Sequence, residues 1–175
     1  MQTFPPSSID SYKALARAWA ATVNVVTVRR APEQVAAGAA EMDGFTATAF
    51  LTVSMSPPII AVSATASSSA WAMIREAEAF AVNLLAPDQA ELASAFAKPA
   101  AERVGLWDRI EWTRDADAVP LLGGTAGAFS ARIRQVVEAG DHVLVLGDVT
   151  AIHLGQGTET LLYHNRAYGR VERIG

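Results

Sequence analysis

Two runs of strand-forming residues, 128–138 and 142–153, are separated only by Ala139-Gly140-Asp141. Long strands joined by so tight a turn pair as an antiparallel hairpin, and the outer edges of that hairpin then need partners. The chain supplies them. β-Branched and aromatic residues, bounded by turn formers, mark further strands over 23–30, 45–53, 59–64, 80–85, 160–164 and 168–171. Helical spacing is confined to three segments. Ile9, Tyr12, Leu15, Ala16 and Trp19 form an apolar stripe over 9–20, behind a capping Ser8, and the stripe predicts a helix lying on a sheet. A short helix is expected over 69–76. A third runs from Pro87, at its first position, to Phe96, with Asp88 and Glu91 in its first turn. Strands do not alternate with helices as in βαβ units. The pattern predicts a mainly β (α+β) fold, an antiparallel β-barrel with flanking helices. No repeat or linker divides the chain. Residues 1–175 read as one domain, with a flexible Pro-rich lead at 1–8.

Composition narrows the function. Of 175 residues 51% are hydrophobic, enough for a sizeable core. The net charge of -4 disfavours a nucleic-acid binder, whose affinity comes from cations meeting phosphates. No cysteine is present, so disulfides, thiolate nucleophiles and Cys-ligated metals are excluded. His142, His153 and His164 show no short ligand spacing, and no metal site is expected. The N-terminus has no signal-peptide pattern, and the longest apolar stretch is broken by Pro57-Pro58, so no membrane span is expected. These features predict a soluble, cytoplasmic protein.

The segment 43–69, DGFTATAFLTVSMSPPIIAVSATASSS, carries the chemistry. Asp43-Gly44 signals a turn. After it, Thr46, Thr48, Phe50 and Thr52 are expected on one strand face, and Phe45, Ala47, Ala49, Leu51 and Val53 on the other. The small residues Thr46, Ala47, Thr48 and Ala49 let a flat ligand approach the backbone, whose N–H and C=O groups can pair with a heteroaromatic edge. Hydroxyls at Thr46, Thr48, Ser54 and Ser63 add polar contacts. Ser67-Ser68-Ser69 precedes a helix and can hold a phosphate. The same residues can equally pack a barrel and cap a helix.

The run from Gly44 to Pro58, G-x-T-A-T-A-F-x-x-V-S-x-x-P-P, resembles the short-chain flavin reductases, reductase components of two-component flavin-dependent monooxygenases, with the FMN-binding split-barrel fold. The resemblance continues in order through the opening strand at 19–28, FAVNLL at 80–85, LASAF at 92–96, Gly140-Asp141-His142, Gly147-Asp148-Val149, Leu161-Leu162-Tyr163 and Tyr168-Gly169. It implies a homodimeric NAD(P)H:flavin oxidoreductase that reduces FMN or FAD by hydride transfer from NADH or NADPH and supplies a partner monooxygenase. It places Thr46, Ala47, Thr48, Ala49 and Phe50 along the flavin ring, with Ser54 near. Ser63, Ala64, Ser67, Ser68 and Ser69 would follow the ribityl chain to the phosphate. Phe96 and Lys98 would close the site, and His142 would stand by the nicotinamide. Tyr168 and Arg170 are further cofactor contacts. Ser130 replaces a cysteine common in the family, which reads as a change of packing. A non-catalytic flavin- or haem-binding protein on the same barrel is the alternative.

Other features have plainer readings. Gly123-Gly124-Thr125-Ala126-Gly127 lacks the strand–helix context of a phosphate loop. Trp19, Trp71, Trp107 and Trp112 are expected as core or interface anchors, with Trp71 also able to touch the cofactor. Arg132 and Arg134 alternate on one strand face, a solvated face or a dinucleotide phosphate contact.

Overall fold

The computed structural model describes residues 2–5, 7–36 and 40–172. In chain order the helices are α1 (Ile9–Arg17), α2 (Pro32–Ala36), α3 (Ser69–Ile74) and α4 (Ala90–Phe96). The strands are β1 (Ala21–Thr22), β2 (Asn24–Arg29), β3 (Met42–Ala47), β4 (Phe50–Met55), β5 (Pro58–Thr65), β6 (Ala79–Leu84), β7 (Trp112–Arg114), β8 (Pro120–Leu122), β9 (Gly127–Ala139), β10 (His142–Leu154), β11 (Leu162–His164) and β12 (Ala167–Gly169). The expected hairpin is β9–β10, thirteen residues a side. It lies inside a seven-stranded antiparallel sheet of order β3-β2-β6-β9-β10-β5-β4. The two edge strands, β3 and β4, are consecutive in the chain. The sheet curls until its edges meet at Thr48-Ala49, which gives the split barrel. Smaller sheets, β1-β11-β12 and β7-β8, pack outside.

β2 explains the unbroken apolar run VNVVTV. Val26 and Val28 face a core with Phe45, Ile60, Phe80, Val82 and Val145. Val23 and Val25 face a second core with Leu85, Phe96, Leu106 and Leu122. A strand covered on both faces has no solvent side to leave polar. Its one hydroxyl, on Thr27, donates to the Pro120 carbonyl at 2.5 Å. Asn83, fully buried on β6, donates to Thr27 Oγ1 and accepts from the Leu122 N–H. These bonds fasten β8 to the barrel and satisfy polar groups that would otherwise be stranded in the core.

Several expectations are corrected. The single strand over 45–53 is two strands. The chain breaks at Thr48-Ala49, and the break shifts the alternation: Phe45 and Ala47 face the core, and so does Phe50, while Leu51 is exposed. Asp43-Gly44 is not a turn. Both residues are buried within β3, opposite Val28 and Thr27. Glycine is required at 44 by close approach, because a Cβ there would stand 2.9 Å from the Val26 carbonyl and 3.1 Å from the Phe96 ring. The helix expected from Pro87 begins at Ala90. Pro87-Asp88 form a turn, closed by Gln89 N–H on Ala86 O and by Ala86 N–H on Gln89 Oε1. The loop over 31–41 contains α2, and its residues 37–39 lie outside those described, as do Met1 and Pro6 of the N-terminal lead. α1 ends at Arg17, three residues early, and buries none of its residues. Its apolar stripe faces outward: Tyr12 is 72%, Leu15 78% and the following Trp19 78% exposed.

Gly147 on β10 faces the first core. A Cβ there would lie 2.7 Å from Phe80 Cζ and 2.9 Å from Ala131 Cβ. Neither neighbour has room to retreat, since both are essentially fully buried. Gly147→Ala is expected to destabilise by about 1–3 kcal/mol through overpacking. Urea denaturation checks it, and an unchanged midpoint would refute the tight-contact argument.

Candidate functional site

The break at Thr48-Ala49 is the centre of the site. Ala49 O accepts the Ser63 N–H at 3.0 Å, so β5 holds one side of the break. The N–H groups of Thr48 and Ala49 have no backbone partner among the described residues. Donors left free at a surface of small side chains suit a flat polar ring approaching edge-on. Thr48 and Ala49 line a cleft of about 570 Å³. Its floor is Thr48, Ala49, Phe50, Leu51, Ala61 and Ser63, with Leu144 from β10. Its wall comes from two other places. α1 and the chain after it give Lys13, Ala16, Arg17, Trp19 and Ala21. The β11–β12 hairpin gives Tyr163, Asn165 and Arg166. β1 pairs with β11 through Ala21↔Tyr163, and the Asn165 N–H donates to Arg17 O at 2.9 Å. Those two ties fix the wall against the floor.

From the cleft, β5 leads to the serine turn. Ser63 and Thr65 share the outer face of β5, while Ala64 between them is buried. Their partners on β10 are Leu144 and His142. Ser68 caps α3: its hydroxyl accepts the Trp71 N–H at 3.2 Å and donates to Thr65 O at 2.6 Å. The Ser67 and Ser69 side chains, both exposed, make no hydrogen bond among the described residues and are available for an anion. His142 is held between Asp141 Oδ1 (2.7 Å from Nδ1) and Thr65 Oγ1 (3.3 Å from Nε2). Its hydrogen bond, and then its charge, hold the Asp141 carboxyl below the ordinary value. His142 therefore stands at the serine turn and does not line the cleft.

The remaining sequence candidates divide. Thr48, Ala49, Phe50 and Ser63 line the cleft. Thr46 does not: its hydroxyl donates to Ala93 O at 2.6 Å and anchors α4. Ala47 and Ala64 face the core. Ser54 lies at the far end of β4, where its Oγ accepts the Ser56 N–H. Trp71 packs on the first core. Phe96 is buried in the second core against Trp107, with Arg103 over its ring. Lys98 lines a separate shallow groove with Ser94 and Tyr168. Tyr168 stacks edge-on against Tyr163 and so touches the cleft wall from behind. Arg170 follows β12 and is exposed. Ser130, buried on β9, bonds the His153 ring at 3.0 Å, a polar contact within the packing. Lys13, Arg17 and Arg166 were not indicated by any local pattern, and Tyr163 stood only in a stretch that carries the resemblance. The pairing that carries the Asn165-Arg166 turn to the cleft is long-range, between β1 and β11. No group of three potential metal ligands occurs among the described residues, and none of their helices is long and apolar enough to cross a membrane.

Residues 16–172 match the flavin reductase like domain. The chain is 33% identical over 168 residues to the NADH:FMN oxidoreductase of Rhodococcus qingshengii, covering 94% of this chain and 82% of that protein. It is 34% identical over 125 residues to the reductase component of the flavin-dependent trigonelline monooxygenase of Acinetobacter baylyi, covering 71% of this chain and 39% of that one. Among solved structures, the flavin reductase component of a bacterial two-component tryptophan halogenase superposes with a TM-score of 0.79 at 26% identity, covering 94% of this chain and 99% of that one. With the break, the cleft and the serine turn all in place, the chain belongs to the flavin reductase like domain family.

Proposed function

We propose that the protein is an NAD(P)H:flavin oxidoreductase that reduces FMN or FAD and passes the reduced flavin to a partner monooxygenase. The observation that carries this reading is the pair of free N–H groups at Thr48 and Ala49 above a floor of small side chains. Thr48 and Ala49 would hold the ring edge through their backbone donors, Ser63 and Thr65 the ribityl chain, and Ser67 and Ser69 the phosphate. A bound flavin would supply the hydride-accepting chemistry, with a nicotinamide cofactor as the donor. The chain's task is to hold both rings at reacting distance and exclude water. The free N–H groups also face the charge that builds on a reduced ring. No side chain needs to exchange a proton. His142 steadies the phosphate end through Thr65, and contact with the nicotinamide is a second role open to it.

A homodimer fits the outward apolar surface. Ile9, Tyr12, Leu15 and Trp19 around α1, and Leu51, Val53 and Met55 on β4, are all exposed, and Trp19 and Leu51 among them line the cleft. Apolar patches of this kind mark interfaces. The reductase components among the relatives support a partner enzyme, and a cytoplasmic setting accords with a chain lacking cysteine.

The test mixes purified protein with FMN or FAD and NADH or NADPH and follows nicotinamide absorbance. Turnover with at least one of the four pairs is expected. Flavin bound without any oxidation would leave a carrier on the same barrel, and no flavin binding would end the reading.

A further inference from the structure

Arg132 and Arg134, the cations offered by the sequence for a dinucleotide phosphate, are engaged elsewhere. Arg132 forks onto Asp117 at 3.1 and 2.6 Å, and Arg134 binds Asp148 at 2.8 Å. Five further arginines, at 29, 30, 75, 103 and 114, each face a carboxylate. Arg109 donates to the carbonyls of Gly105 and Val104. Among the described residues, Lys98 and Arg170 also lack an ion pair and lie apart from the cleft, whereas three unpaired cations share one rim of it. Lys13, Arg17 and Arg166 line the cleft wall, and none has an ion pair among the described residues.

This grouping works against local stability. Lys13 and Arg17 are four apart on α1, a like-charge spacing that disfavours a helix. Arg166 has φ 66°, at the second position of the two-residue β11–β12 turn, where glycine is favoured. The Asn165–Arg17 hydrogen bond draws turn and helix together, so all three cations share one rim. Internal partners do not repay the arrangement; a bound anion would. FMN has one phosphate, and Ser67 and Ser69, which would hold it in the reading above, do not line this cleft. Trp19 and Tyr163, on the same wall, offer aromatic faces to a base.

We propose that Lys13, Arg17 and Arg166 form a subsite for the pyrophosphate of a dinucleotide, the ADP half of FAD or of the nicotinamide cofactor. This rests on the flavin reading of the cleft floor. The cations set which cofactors bind well, and they leave the mononucleotide contacts alone.

The test compares the full chain with Arg17→Glu/Arg166→Glu and, should that pair fail to fold, with Arg166→Gly, which relieves the turn. Flavin fluorescence gives Kd for FMN and FAD. Calorimetry gives Kd for ADP and for NAD+ on FMN-loaded protein. The charge reversals are expected to weaken ADP binding about tenfold or more, the loss of a charge-assisted contact, with FMN affinity held within about twofold. Arg166→Gly is expected to raise Tm while weakening ADP. A matching loss for FAD assigns the subsite to the flavin; a matching loss for NAD+ assigns it to the nicotinamide cofactor. ADP binding that is absent from the wild type or unchanged in the variants overturns the proposal, and so does an equal loss for FMN. Failure of the wild type to bind FMN would count against the flavin reading itself, a separate result.

Discussion

Ala49→Trp is expected to weaken FMN binding about 100-fold while leaving the fold intact. Ala49 is exposed at the break, and its structural contact is through its carbonyl, which accepts the Ser63 N–H. The side chain can therefore grow without disturbing the sheet. An indole at this position covers the floor and the free N–H groups. Denying roughly 100 Å² of ring surface its burial costs about 2.5 kcal/mol, close to two decades in Kd. Fluorescence titration with FMN gives the affinity, and a thermal melt confirms the fold. Ala49→Ser, nearly the same size, is expected to bind as the wild type does. If Ala49→Trp binds FMN within about threefold of wild type, the ring does not lie at the break.

The second large effect is on stability. Asp43 is 6% exposed, on the strand that leads into the break. Its carboxylate takes Arg103 Nη1 at 3.0 Å, Arg30 Nη2 at 2.9 Å and the Gly44 N–H at 2.8 Å. Arg103 is almost as buried, packs over Phe96 and also donates to Gly44 O. Asp43→Ala would leave the guanidinium of Arg103 in the interior without a counter-charge. Such a loss costs about 3–5 kcal/mol, a large part of the stability of a domain of this size. Asp43→Asn keeps an acceptor and the shape, and should lie between the two. Denaturant midpoints measure all three proteins. A cost under about 1 kcal/mol for Asp43→Ala would mean that water reaches Arg103 and the pair is not a buried one.

The β9–β10 hairpin was legible to within a residue, because its period, length and turn agree locally. The fold class followed from it. The break at Thr48-Ala49 was not legible. Thr, Ala and Phe continue a strand pattern smoothly, and only the distant demand that β3 and β4 occupy opposite edges of one sheet interrupts it. The same long-range packing moved Asp43-Gly44 from a turn into a buried strand, where Arg30 and Arg103 supply charges that no local window contains. Small residues and hydroxyls around 48–50 and 63–69 located the floor and the serine turn. Thr46 and Phe96 belong to the scaffold instead, since α4 takes the hydroxyl of one and the second core takes the ring of the other. The cationic wall lay hidden because α1 and the β11–β12 hairpin are about 150 residues apart. The outward stripe of α1 shows the limit of amphipathicity as a guide: it identifies a face to be covered and does not name the cover.

The junction at Thr48-Ala49 joins the first and last strands of a seven-stranded sheet. A pocket at such a seam has no existence in any fragment of the protein. Every strand between the two edges must be in register before the seam forms, and fraying of either edge opens it. Occupancy of the seam is therefore a readout of complete folding. A cofactor held there acts as a clasp, adding about 2.7 kcal/mol against global unfolding when present at a hundred times its Kd. Resistance to unfolding is therefore expected to rise with the concentration of free flavin.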